Sequence, residues 1–273
     1  FGRRTSFGFR LSACGFGFGA FVFAVLFTLS ARAELTSEVR SFHGLPALFV
    51  NGKPVSQVLA APYQTGTNDY ADFLKAGVRI YNIYFRFNWS GPEEYDFSRL
   101  DGRLEAYLKI DPGAQFIGRV LLAPGPWFGQ QYPDEITRRD DGSPAGMFRG
   151  GPHPSFSSEH YRELSRKAMT ALVRHLEEKF GDNIVGYQAG NGFGGEWLPF
   201  NSFWEVRPGQ PPPTKFGVED YSPAAKADFR RWLREKYKSD DALRRAWGDA
   251  KVTLDSAEPP NEVERYTTTH GIF

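Results

Sequence analysis

The sequence predicts an α/β protein built on a parallel sheet, and three observations carry that prediction. Apolar runs of strand length alternate with amphipathic helices from residue 55 onward. The chain returns from helix to strand through short joins, Gly77 in one place and Gly181-Asp182 in another. It leaves its strands through long loops: residues 123–156 hold six prolines and six glycines, and residues 191–221 include Pro208-Gly209-Gln210-Pro211-Pro212-Pro213. Tight turns at one end of a sheet and elaborate loops at the other suit a (β/α)8 barrel. They suit a doubly wound sheet equally, so periodicity leaves both open.

Each element has its own signal. Asn51-Gly52, between Ala47–Val50 and Lys53–Val55, reads as a hairpin turn because both residues tolerate positive φ. Val55 to Tyr63 reads as the first buried strand, Asn68 to Lys75 as a helix ending at Gly77, and Val78 to Phe87 as the second strand. Ser98 is placed to cap a helix reaching Lys109, with Leu100, Leu104, Tyr107 and Leu108 on one face. Gln115 to Leu122 is the third strand. Tyr161, Leu164, Ala168, Leu172 and Leu176 then recur at helical spacing, with Gly181 as the stop. Asn183 to Gly190 is the fourth strand. Ser222-Pro223 supplies an N-cap and a first-turn proline for a helix whose stripe is Phe229, Trp232, Leu233 and Tyr237. A shorter helix runs from Ser239 to Trp247-Gly248.

The chain divides near residue 33. Residues 1–33 carry Arg3, Arg4, Arg10 and Arg32 and no acid, while the remaining 240 residues carry 29 basic and 32 acidic side chains. The order is a basic stretch, an apolar run from Leu11 to Leu29, then Ala31-Arg32-Ala33. That is the layout of a secretory signal peptide cleaved before Glu34, which predicts a secreted or periplasmic protein. An uncleaved membrane anchor is the alternative, and only then is a membrane a partner. The opening Phe1, in place of Met, predicts that the natural start lies upstream.

Composition removes several functions. A formal charge of +1 over 273 residues lacks the basic stripe of a nucleic-acid binder. The single cysteine, Cys14, permits neither an internal disulfide nor a cysteine metal knuckle. His43, His153, His160, His175 and His270 show no ligand spacing with a carboxylate, so no metal and no cofactor is expected. No G-x-S-x-G elbow is present.

The chemistry-bearing residues lie just past the strands. After the fourth strand the chain reads Gly190-Asn191-Gly192-Phe193-Gly194-Gly195-Glu196-Trp197. Gly190, Gly192 and Gly195 satisfy G-x-G-x-x-G, but Trp197-Leu198-Pro199 follows, where a dinucleotide site needs the start of a helix. Alternatively, Glu196 is a catalytic carboxylate. A glutamate pressed against Trp197 gains the raised pKa of a general acid, and glycoside hydrolysis uses such an acid opposite a second carboxylate. Composition alone favours a structural ion pair of Glu196 with an arginine over that role. Trp89, Trp127, Trp197 and Trp204 all follow strand ends, and as a set their flat faces suit the C–H patches of a pyranose. Singly, each also suits loop packing. Asp134 and Glu135 lie in the long loop, where they have the reach to border the pocket, with solvation as the expected role.

Several stretches together resemble the amino-terminal catalytic domain of glycoside hydrolase family 42, the β-galactosidase-like group. They include Leu48-Phe49-Val50-Asn51-Gly52-Lys53-Pro54, Tyr95-Asp96-Phe97-Ser98-Arg99-Leu100-Asp101, Asp111-Pro112 with Arg119-Val120, and Pro126-Trp127 with Tyr132-Pro133-Asp134-Glu135. Gly186-Tyr187-Gln188, Gly194-Gly195-Glu196-Trp197, Tyr221-Ser222-Pro223, Phe229-Arg230-Arg231-Trp232-Leu233 and Ala246-Trp247-Gly248 follow in the same order. The resemblance spans residues 42–273. It implies a (β/α)8 TIM barrel and a retaining β-galactosidase-like mechanism, with glutamates ending strands four and seven. On that basis residues 34–273 form a partial barrel domain holding about the first four βα units, a fragment inactive alone because the nucleophile lies beyond it. The family's Asn-Glu pair at the end of strand four matches Asn191 and Gly192. Glu196, in the Gly-Glu-Trp that many relatives share, becomes the candidate acid/base, with Asn191, Trp127, Trp197 and Trp89 as carbohydrate contacts. The other implied possibility is a non-catalytic carbohydrate-binding relative that lost the glutamate at position 192.

Overall fold

The computed structural model describes residues 35–55, 58–61, 67–145, 152–190, 219–261 and 264. The first layer is a three-stranded antiparallel sheet: β1 (Ser37–Phe42), β2 (Leu45–Val50) and β3 (Lys53–Pro54). Its two turns, His43-Gly44 and Asn51-Gly52, place all four residues at positive φ, between 49° and 81°. Those angles belong to the two-residue turn whose twist matches that of the flanking strands. Asn51-Gly52 behaves as its sequence predicts. The hairpin at His43-Gly44 was not foreseen.

The chain then alternates: α1 (Thr67–Lys75), β4 (Ile80–Phe85), a small hairpin of β5 (Asn88–Gly91) and β6 (Glu94–Asp96), α2 (Ser98–Ile110) and β7 (Gln115–Leu121). It continues with α3 (Trp127–Gln131), α4 (Glu159–Phe180), β8 (Ile184–Gly190), α5 (Pro223–Tyr237) and α6 (Asp240–Trp247). β4, β7 and β8 form a parallel sheet in that order. Of the expected first strand over Val55–Tyr63, the described residues show one parallel bridge, between Ala60 and Tyr81. Ala60 N donates to Ile80 O at 2.9 Å, and Asn82 N donates to Ala60 O at 2.8 Å. Ala60, β4, β7 and β8 therefore lie side by side in sequence order. A doubly wound sheet reverses direction within its first four strands, whereas a barrel does not. Strand order thus decides what periodicity left open.

The sheet separates two environments. Tyr81, Ile83, Phe85, Phe116 and Val120 point to the helices and share one core with Leu100, Leu104 and Tyr107 of α2 and Tyr161, Ala168, Leu172 and Leu176 of α4. A fully buried leucine of this kind contributes roughly 1.5–3 kcal/mol. Every residue of β4 is buried, as in a parallel strand covered on both faces. At the amino ends of the strands, Leu35 and Val50 pack with Ile80 and Val185, so the β1–β3 layer closes that end. Ser37 Oγ adds a 2.7 Å hydrogen bond to Val185 O.

The helix ends follow local chemistry, with two departures from expectation. Ser158, Ser222 and Ser239 each accept a hydrogen bond from the backbone N–H three residues on, capping α4, α5 and α6. Ser98 does not cap α2. Instead, Asp96 Oδ1 accepts from Ser98 N at 2.9 Å, and this backbone hydrogen bond holds the Asp96 carboxyl below its usual pKa. Gly181 is not a left-handed stop: at φ −53° it opens a 3-10 turn over Gly181–Asn183 that feeds β8.

One glycine is required by packing. Gly118 of β7 lies under the buried Phe85 ring, and a Cβ there would come within 2.0 Å of it. Gly118→Ala is expected to cost about 1–3 kcal/mol through overpacking, read as a lower urea midpoint with an unchanged slope.

Candidate active site

The carboxyl ends of the sheet strands carry the long loops, and the inner face of the sheet leads up to them. The register sets Tyr84, Arg119 and Gln188 side by side across β4, β7 and β8. Asn82, Ile117 and Gly186 form the row beneath. Asn82 Nδ2 donates to Ile117 O at 3.2 Å and to Gln188 Oε1 at 3.4 Å. Arg119 is 8% exposed and donates from Nη2 to Asn82 O at 3.2 Å. The Tyr84 ring lies 4.5 Å from both the Arg119 and the Arg86 guanidinium carbons. The face presents amide, phenol and guanidinium groups, a donor-rich lining suited to hydroxyl ligands. These residues escaped the sequence reading as a set. Their signal is the period-two recurrence of Asn82, Tyr84 and Arg86 inside an apolar run.

The loops beyond β4 and β7 are joined through tryptophans. Trp127 Nε1 donates to Trp89 O at 2.9 Å, and Gly125 N donates to the same carbonyl at 3.2 Å. The two indoles sit 5.7 Å apart at 61°. Trp127 stays half-buried. Trp89 is 1% exposed, enclosed by Phe87, Tyr95 and Trp127. That burial corrects the expectation of a carbohydrate contact at Trp89, because neither ring face is open to a ligand.

Glu135 departs from the solvated role as well. Its carboxylate accepts from Ser158 Oγ and pairs with His160 Nδ1 at 2.7 Å, tying the long loop to the start of α4. His175 Nε2 and Lys179 Nζ likewise reach Asp101 at 2.7 and 2.8 Å, joining α4 to α2. Among the described residues no group of three histidine, cysteine, aspartate or glutamate side chains is arranged to hold a metal ion. Asn191, Glu196, Trp197 and Trp204 lie outside the described residues. Asn191 directly follows the last residue of β8, and Glu196 follows it by five more positions.

The family model described as β-galactosidase, Glyco_hydro_42, matches residues 60–205 and 214–265. The β-galactosidase LacZ of Heyndrickxia coagulans is 28% identical over 182 residues, covering 63% of this chain and 23% of that protein. The β-galactosidase BbgII of Bifidobacterium bifidum is 27% identical over 198 residues, covering 69% of this chain and 24% of that protein. The chain thus spans about a quarter of the length of these relatives. Among solved structures, the β-galactosidase from the psychrophilic Marinomonas ef1 superposes with a TM-score of 0.51 at 23% identity, over 75% of this chain and 30% of that one. The catalytic domain of the β-amylase from Paenibacillus polymyxa gives 0.53 at 14% identity, over 78% of this chain and 55% of that one. Both are TIM barrels, and the likeness is one of fold.

Proposed function

Because the chain belongs to the β-galactosidase family of glycoside hydrolases, family 42, we propose that it forms the first four βα units of a TIM barrel that hydrolyses a β-galactoside or related sugar. The observation that supports this most is the reach of the family match, which runs from Ala60 through every strand of the parallel sheet and the loops leaving their carboxyl ends. In this reading Glu196 is the acid/base that protonates the leaving oxygen, and Asn191 hydrogen-bonds the sugar. The donor row of Tyr84, Arg119 and Gln188 lines the floor of the site. The described sheet face holds no carboxylate to serve as nucleophile, so that role is assigned to none of its residues. Residues 1–33, basic and then apolar up to Ala31-Arg32-Ala33, are an export signal in the same proposal.

Trp127 keeps the platform role for itself and Trp197, while Trp89 becomes its support. In the full-length protein, Trp127→Ala is expected to raise KM for an aryl β-galactoside several-fold, on the order of 1 kcal/mol, with kcat little changed. Steady-state kinetics check this, and an unchanged KM would remove Trp127 from the site. The reaction class itself is tested by the Glu196 substitution with which the Discussion begins.

A further inference from the structure

Among the described residues no strand pairs with the outer edge of β1, which is an open half of a β-ladder. The two-residue turn at His43-Gly44 makes Phe42 and Leu45 its closing pair. From there inward, alternate residues of β1 aim their backbone groups at β2. Thr36 O, which accepts from Asn51 N at 2.8 Å, fixes this alternation, so Glu38, Arg40 and Phe42 bond to β2. The N–H and C=O groups of Ser37, Val39 and Ser41 therefore point outward, along the edge of the sheet. All six residues of β1 are exposed, with Val39 at 60%.

The two edges of this small sheet are treated differently. β3 presents Lys53 and Pro54, the residue types that block further strand pairing. β1 carries neither, nor a bulge. Its outward sequence, Ser37-Glu38-Val39-Arg40-Ser41, is instead self-complementary when reversed.

We propose that the outer edge of β1 is a self-association surface, on which a second copy of this chain pairs antiparallel about a two-fold axis at Val39. In that register Val39 opposes Val39, and each Ser37 opposes Ser41, so the three outward residues of each strand satisfy one another's backbone groups. Glu38 of one copy opposes Arg40 of the other in a non-hydrogen-bonded pair, where Cα atoms approach to about 4.5 Å and side chains meet. Glu38 and Arg40 already attract within one chain, at 3.4 Å and half exposed, so pairing sets the four side chains in a quartet in which each charge has opposite charges as its neighbours along and across the strands. An isologous contact of this kind closes at two subunits.

Charge reversal tests the register. Sedimentation velocity of the purified full chain over a concentration series should show a monomer–dimer equilibrium that weakens with salt. Glu38→Arg and Arg40→Glu, each of which opposes like charges across the axis, should raise the dissociation constant at least tenfold. The double exchange Glu38→Arg with Arg40→Glu should restore it to within about threefold. Far-UV circular dichroism and the unfolding midpoint confirm that each variant stays folded. A chain that is monomeric at every concentration overturns the proposal. So does association that the single changes leave intact, or a double exchange that rescues nothing.

Discussion

In the full-length protein of which this chain is proposed to be part, Glu196→Gln is expected to lower kcat for a phenyl β-galactoside by about 10²–10⁴-fold, the usual worth of a general acid, while substrate binding stays within a few-fold. The amide keeps the shape of the carboxyl group and loses its transferable proton. Leaving-group dependence sharpens the test. A dinitrophenolate departs with little need of protonation, so the dinitrophenyl substrate should lose far less of its cleavage step than the phenyl one. A glutamate engaged in a structural ion pair would behave otherwise: its replacement would lower the unfolding midpoint and treat both substrates alike. Turnover of the phenyl substrate unchanged by Glu196→Gln would remove Glu196 from the acid/base role.

Trp89→Ala is expected to destabilise the fold by about 3–5 kcal/mol, the cost of emptying a tryptophan-sized site in a closed core. Trp89 is 1% exposed and packs on Phe87, Tyr95 and Trp127. The loss should show as a lower urea midpoint, with residual folded enzyme losing affinity as well, because Trp127 rests against the same ring. A carbohydrate platform would give the opposite pattern, a raised KM at unaltered stability. That pattern would reinstate the contact role that burial takes away.

The contrast between the two tryptophans shows where sequence reasoning stops. Both follow a strand and both precede loop-forming residues, so nothing in their neighbourhood separates them. What separates them is the β5–β6 hairpin, which folds Trp89 inward onto Tyr95 by pairing the two residues directly. That hairpin is two very short strands, too brief for a period to register. The long α4 stripe was legible because five apolar residues over more than four turns leave no other period. The Asn51-Gly52 turn was legible because both residue types favour positive φ. His43-Gly44 makes the same turn with a histidine, and the signal faded accordingly. The inner row of Tyr84, Arg119 and Gln188 was hidden for a different reason. A strand buried on both faces reads as one apolar run, and its polar members look like interruptions until a register aligns them across neighbours.

The carbonyl of Trp89 receives two donors, the Trp127 indole and the Gly125 amide, from the loop that leaves β7. Under the proposed function, a sugar arriving at Trp127 would meet a ring whose orientation was settled during folding. Little rotamer freedom remains to be lost at the moment of contact. Loosening that tether would leave the surface chemistry of the loop intact, yet bound sugar should escape sooner, so the tether acts on residence time rather than on the contacts themselves.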